Sequence, residues 1–118
     1  MGKLDGQIAI VTGAGSGIGR EAAFMFAGEG AKLILVGRRL GPLVEVSKKI
    51  EARGGVAVAK SVDLEEGDAA ATLGEWVISE FGHVDILVNN AGHSSKVRSI
   101  RYVTPEEWTS VFKVNVEG

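Results

Sequence analysis

The sequence predicts an α/β fold built on a parallel sheet, and three observations predict it. Short, unbroken apolar runs alternate with longer stretches whose apolar residues recur at helical spacing. Glycines mark the ends of those stretches. A glycine-rich stretch, Thr12-Gly13-Ala14-Gly15-Ser16-Gly17-Ile18-Gly19, joins the first apolar run to the first helical stretch.

Taken in order, Ile8-Ala9-Ile10-Val11 is a first strand, and Ile18, Ala22, Ala23, Phe26 and Ala27 mark a first helix that ends at Gly28-Glu29-Gly30. Leu33-Ile34-Leu35-Val36 lacks polar alternation and reads as a buried strand. Leu40, Leu43, Val44, Ser47 and Ile50 mark a second helix, stopped at Gly54-Gly55. Val56-Ala57-Val58-Ala59 with Val62 is a third, edge-like strand. A third helix carries Ala69, Ala70, Leu73, Trp76, Val77 and Phe81 on one face and stops at Gly82, and Val84-Asp85-Ile86-Leu87-Val88 is a fourth strand. Thr104-Pro105-Glu106-Glu107 opens a last helix with a capping box, and Trp108, Val111 and Phe112 give it an apolar face. Strands alternating with helices imply right-handed crossovers and a doubly wound parallel sheet of the Rossmann type. Four strands in the order 3-2-1-4 are expected, within a single dinucleotide-binding domain over residues 1–118. No internal repeat, low-complexity tract or linker interrupts it.

Composition narrows the function. The 118 residues are 45% hydrophobic and 24% charged, ordinary for a globular domain, and 13 Lys+Arg against 15 Asp+Glu give a formal charge of -2. That balance points to neither nucleic acid nor an anionic membrane as partner. With no cysteine there is neither a disulfide framework nor a thiolate metal site. His83 and His93 do not form a metal-ligand spacing. No apolar run approaches a membrane span, the first residues do not begin a secretory signal, and Gly6 stands where a myristoylation signal would need Ser or Thr. A cytoplasmic location is the default expectation.

The glycine stretch carries the chemistry. A helix N-terminus holds backbone N–H groups without intrahelical partners and the positive end of the helix dipole, so it attracts anions, above all a pyrophosphate. Glycine lets the backbone approach such an anion and lets the helix pack closely on the strand. The template G-x-G-x-x-G/A can be matched only at Gly17, Gly19 and Ala22, too far past Thr12 for a strand that has already ended. No lysine follows at the P-loop position. The pattern that fits is T-G-x-x-x-G-x-G, with Gly13, Gly17 and Gly19.

This loop, with Asn89-Asn90-Ala91-Gly92 and Asn115 in the same order, resembles the classical short-chain dehydrogenases/reductases from Leu4 to the last residue. The resemblance implies hydride transfer between a nicotinamide and a carbonyl or alcohol carbon. It implies cofactor contacts from Gly13, Ser16, Gly17, Ile18 and Gly19, from Asp63 and Leu64 after the third strand, and from Asn90, Ala91 and Gly92 after the fourth. Asp63 matches the acidic residue that holds the adenine amino group, although Asp63 and Glu66 also have capping-box spacing at the start of the third helix. For Asn90 the alternative is a plain turn, and His93, Ser94 and Ser95 read as a polar loop without assigned chemistry.

About twenty residues past the glycine loop, dinucleotide folds place a carboxylate to select NAD or an arginine to accept the 2′-phosphate of NADP. Here Gly37 is followed by Arg38 and Arg39, with no Asp or Glu before Leu43. A guanidinium presents a planar fork of donors that matches phosphate, so Arg38 is the expected contact and NADP(H) the expected cofactor over NAD(H). The alternative is two solvated arginines opening the second helix.

Of the catalytic groups that the resemblance implies, only Asn115, the holder of a relay water, has a counterpart, and its alternative is a polar residue on an exposed helical turn. The carbonyl-polarising Ser and the Tyr-x-x-x-Lys pair are missing. Tyr102 precedes Asn115 and has Glu106 four residues on, where a carboxylate would raise rather than lower the phenol's pKa. The expectation is therefore the N-terminal, cofactor-binding half of a longer reductase, which acts on a small carbonyl or alcohol and forms homo-oligomers when complete. Ile86-Leu87-Val88 would then lie on an open sheet edge. A competing expectation is a non-catalytic fragment that binds a nucleotide, or a partner through that edge; another is a chain that does not fold alone.

Overall fold

A computed structural model of the chain describes residues 2–15, 17–64, 66–89 and 96–99. Its elements run β1 (Ile8–Thr12), α1 (Gly17–Gly28), β2 (Lys32–Gly37), α2 (Leu40–Ala52), β3 (Val56–Ser61), α3 (Ala69–Phe81), β4 (Ile86–Asn89) and β5 (Lys96–Ser99). The sheet order is β3-β2-β1-β4-β5. The first four strands are parallel, in the order expected from the crossover rule.

The fifth strand corrects one expectation. β5 pairs antiparallel with β4, from Ile86 opposite Ser99 to Asn89 opposite Lys96, so the outer edge of Ile86-Leu87-Val88 is covered rather than open. Lys96-Val97-Arg98-Ser99 has a single apolar residue and no apolar periodicity. It pairs because β4 offers a row of unpaired backbone groups, which its own sequence does not announce. The last expected helix, from Thr104, lies outside the described residues.

The central strands separate two cores by simple alternation. Ala9, Val11, Leu33, Leu35, Ile86 and Val88 face α1 and α2, and pack with Ala23, Leu43, Val46 and Ile50. Ile8, Ile10, Ile34, Val36 and Leu87 face α3, and pack with Leu73 and Val77. All five residues of β1 are buried, which is why its sequence shows a continuous apolar run instead of alternation. Polar ties join the layers: the buried Ser47 hydroxyl donates to the Ala57 carbonyl at 3.0 Å, and Lys60 Nζ lies 4.1 Å from the Trp76 ring centroid.

Asp85 grips the start of β1 at two points. Its Oδ2 accepts from the Ile8 N–H at 2.8 Å, and its own N–H donates to the Ile8 carbonyl at 2.9 Å. His83 Nε2 stands 2.8 Å from the same carboxylate oxygen.

The start of α3 bears on the alternative reading of Asp63. The helix begins at Ala69, preceded by Asp68 with no side-chain cap bond, so Asp63 and Glu66 do not form its capping box. They belong to a separate turn, in which the Glu66 N–H donates to the Asp63 carbonyl at 3.1 Å.

Ile34 is fully buried in the middle of the sheet. Ile34→Ala is expected to lower stability by about 2–5 kcal/mol, because lost transfer energy and the remaining cavity add. A denaturant-unfolding midpoint on both proteins measures it.

Candidate functional site

The sheet order reverses at β1, since β2 lies on one side of it and β4 on the other. Chains leaving the C-terminal ends of β1 and β2 enter helices on one face of the sheet, while α3, which follows β3, packs on the other. A crevice opens where they part, the usual ligand position in such sheets. The glycine loop emerges there.

The loop is fixed to both neighbours of β1. The Thr12 hydroxyl, almost fully buried, donates to the Val88 carbonyl of β4 at 3.4 Å, and the Ala14 N–H donates to the Val36 carbonyl of β2 at 3.2 Å. Gly13 and Gly17 have φ of 62° and 56°, a region that costs a residue with a Cβ roughly 1–2 kcal/mol. Gly17 turns the chain into α1, whose first turn contains no acidic residue. Ile18 is exposed, and Gly19 is buried, as close contact between helix and strand requires. The loop thus presents N–H groups and a helix dipole with no carboxylate in the first turn of α1 to neutralise them.

At the end of β2, Gly37 is followed by the exposed Arg38 and Arg39, and α2 begins at Leu40. Arg39 occupies the N-cap with extended backbone (φ -107°, ψ 123°) and makes no side-chain cap bond, and the first turn of α2 again lacks an acidic residue. A cleft of about 330 Å³ separates this segment from the glycine loop, with Gly13, Gly15, Gly37, Arg38, Arg39 and Pro42 among its walls. Its charged residues are both arginines, so its chemistry is that of an anion seat.

The contact that shapes this cleft was not legible in the sequence. A Cβ on Gly15 would lie 2.9 Å from the Pro42 Cβ, so the loop and the first turn of α2 touch directly through a missing side chain. Gly15 is one of the unspecified positions of T-G-x-x-x-G-x-G, and Pro42 looks like any proline in a first helical turn, which needs no N–H there.

Asp63 and Leu64 follow β3 at the same C-terminal end of the sheet, both half-buried. The structure thus brings Gly13, Gly17, Ile18, Gly19, Arg38, Asp63 and Leu64 to one end of the sheet, with Gly13 and Arg38 on one cleft. Ser16, Asn90, Ala91, Gly92 and Asn115 lie outside the described residues. Among the described residues no cluster of His, Asp or Glu could hold a metal ion, and no helix is long and apolar enough to cross a membrane. A larger cleft, about 400 Å³, lies at the opposite end of the sheet beside the C-termini of α1 and α2 and shares no residue with the glycine loop.

Comparison with known proteins agrees with this geometry. The family described as short chain dehydrogenase matches residues 7–118. A short chain dehydrogenase of Pseudocercospora fijiensis is 42% identical over 121 residues, covering 100% of this chain and 38% of that protein. Among solved structures, a metagenomic short-chain oxidoreductase in complex with NADP superposes with a TM-score of 0.74 at 41% identity, over 76% of this chain and 41% of the other. A short chain dehydrogenase/reductase of Burkholderia phymatum in complex with NAD gives a TM-score of 0.67 at 33% identity, over 74% of this chain and 31% of the other. The chain spans less than half the length of each of these relatives. With the family pattern running from β1 to the last residue, and the crevice, loop and sheet order in place, this chain belongs to the short-chain dehydrogenase/reductase family.

Proposed function

We propose that the chain is the cofactor-binding segment of an NADP(H)-dependent oxidoreductase that interconverts a small carbonyl compound and its alcohol. The observation that carries the NADP(H) reading is the end of β2. Where a carboxylate would receive the ribose hydroxyls of NAD, this chain has Gly37, and the next two residues are arginines on the wall of the cleft beside the glycine loop. One relative of known structure holds NADP and another NAD, so the family alone does not choose.

The residues present fit such a cofactor. The backbone of Gly13, Ser16, Gly17, Ile18 and Gly19 would receive the pyrophosphate at the N-terminus of α1, where Gly15 lacks the Cβ that would narrow the cleft. Arg38 would take the 2′-phosphate through its guanidinium fork. Asp63 would accept from the adenine amino group, with Leu64 beside it; the helix-cap alternative for Asp63 does not hold, since α3 starts at Ala69. Asn90, Ala91 and Gly92 would continue the floor past β4, and Asn115 would hold the relay water. When bound, the nicotinamide supplies or accepts the hydride. The proton is left to a Ser and a Tyr-x-x-x-Lys outside these 118 residues, in a whole protein that we further propose to be cytoplasmic and homo-oligomeric.

Of the alternative, a non-catalytic fragment that binds a nucleotide or a partner, the partner-binding form loses its main support because β5 occupies the β4 edge.

Two substitutions separate charge recognition from shape. Arg38→Asp removes a charge-assisted contact and places a carboxylate near the ribose. It is expected to weaken NADPH binding about 10- to 100-fold, as for a hydrogen bond to a charged group, while NADH binding improves. Titration of both cofactors by intrinsic fluorescence measures it, and unchanged NADPH affinity with no gain for NADH would refute the assignment. Gly15→Ala, by contrast, forces the loop and Pro42 apart and is expected to cost about 1–3 kcal/mol of stability as overpacking, while weakening both cofactors alike. Paired unfolding curves and titrations distinguish the two patterns.

A further inference from the structure

The pairing of β2 with β3 ends with Gly37 opposite Ser61. Beyond this rung the ladder supplies no further partner to the chain that carries Arg38 and Arg39. Two hydrogen bonds extend the pairing. The Val62 N–H donates to the Gly37 carbonyl at 2.8 Å, and the Ser61 hydroxyl donates to the Arg38 carbonyl at 2.9 Å. One residue earlier, the Val36 carbonyl accepts from Ala14 of the glycine loop. Three successive carbonyls, those of Val36, Gly37 and Arg38, are thus held from outside β2, and only the last is held by a side chain.

We propose that Ser61 is a positioning residue for the arginine segment, setting how well the cleft discriminates a 2′-phosphorylated adenosine from an unphosphorylated one. This deepens the NADP(H) reading of the cleft and rests on it. The peptide joining Arg38 to Arg39 is trans, so its N–H points opposite to its carbonyl. Fixing the carbonyl towards β3 turns the Arg39 N–H to the other side of β2, where β1 and the glycine loop lie. The same bond sets the direction in which the Arg38 side chain leaves the backbone. A long arginine on an exposed segment loses considerable freedom when it engages a phosphate, and a backbone already held removes part of that cost before the ligand arrives. Ser61 is itself exposed and contributes no apolar core, so its loss should leave the fold intact.

The test uses adenosine 2′,5′-bisphosphate and ADP as probes, titrated calorimetrically into the intact protein and into its Ser61→Ala, Ser61→Thr and Arg38→Ala variants. Ser61→Ala is expected to weaken the 2′-phosphorylated probe about three- to ten-fold, the range of a single hydrogen bond, and to leave ADP within two-fold. Ser61→Thr, which keeps the hydroxyl, is expected to restore the discrimination. Loss of Arg38 with no loss from Ser61→Ala, or an equal loss of both probes in Ser61→Ala, would overturn the role of Ser61 and leave the NADP(H) reading standing. If Arg38→Ala leaves the 2′-phosphorylated probe unweakened, or the parent protein binds neither probe, the NADP(H) reading itself fails and takes this inference with it.

Discussion

The structure depends on β1 having a hydrogen-bonded parallel neighbour on each side and a packed core on each face. A strand so enclosed can offer nothing to solvent except its end. Its polar backbone is spent on β2 and β4, its side chains on two hydrophobic layers, and the chain must leave it at the point where the sheet order turns back. The glycine loop is what remains free there. Thr12, buried beneath it and bonded to β4, and Ala14, bonded to β2, hold the loop by its first residues so that the rest can face the crevice.

From this constraint the electrostatics follow. Two helices, α1 and α2, begin at the same end of the sheet, neither with an acidic residue in its first turn, and the loops that lead to them are separated by one cleft. Each N-terminus contributes a partial positive charge, and Arg38 and Arg39 add two full ones. With Gly37 at the end of β2, no carboxylate among the described residues lines the cleft to offset this field. An anion at the loop and a second anion near Arg38 would each reduce the repulsion that the arrangement otherwise stores.

Much of this was legible in the residues, for reasons that differ from element to element. Ile8–Val11 and Leu33–Val36 announce themselves because burial on both faces leaves no room for polar alternation. The T-G-x-x-x-G-x-G spacing could be read because a left-handed turn and a close helix–strand contact accept little but glycine, as the φ of Gly17 and the burial of Gly19 show. β5 escaped because its four residues are chosen by a neighbour's unpaired edge rather than by their own periodicity. The Asp63/Glu66 spacing admits two readings because a local cap pattern fits a tight turn as well as a helix start, and here the chain makes the turn first and the helix only at Ala69. Gly15 against Pro42, and Ser61 on the Arg38 carbonyl, are pairings between segments 27 and 23 residues apart. No local pattern encodes such distances.

The grip of Asp85 on Ile8 has a consequence at the far end of the sheet. Side chains alternate along a strand, so a one-residue slip of β4 against β1 would exchange Leu87 with Ile86 and Val88 between the two cores and shift the strand by about 3.3 Å. Asp85 meets Ile8 through both its backbone N–H and its carboxylate, and a slipped pairing would lose the two bonds together. Asp85 therefore works as the zero mark of a ruler. By fixing where β4 starts relative to β1, it fixes the level at which β4 ends beside the glycine loop, four strand residues away, without coming near the crevice itself.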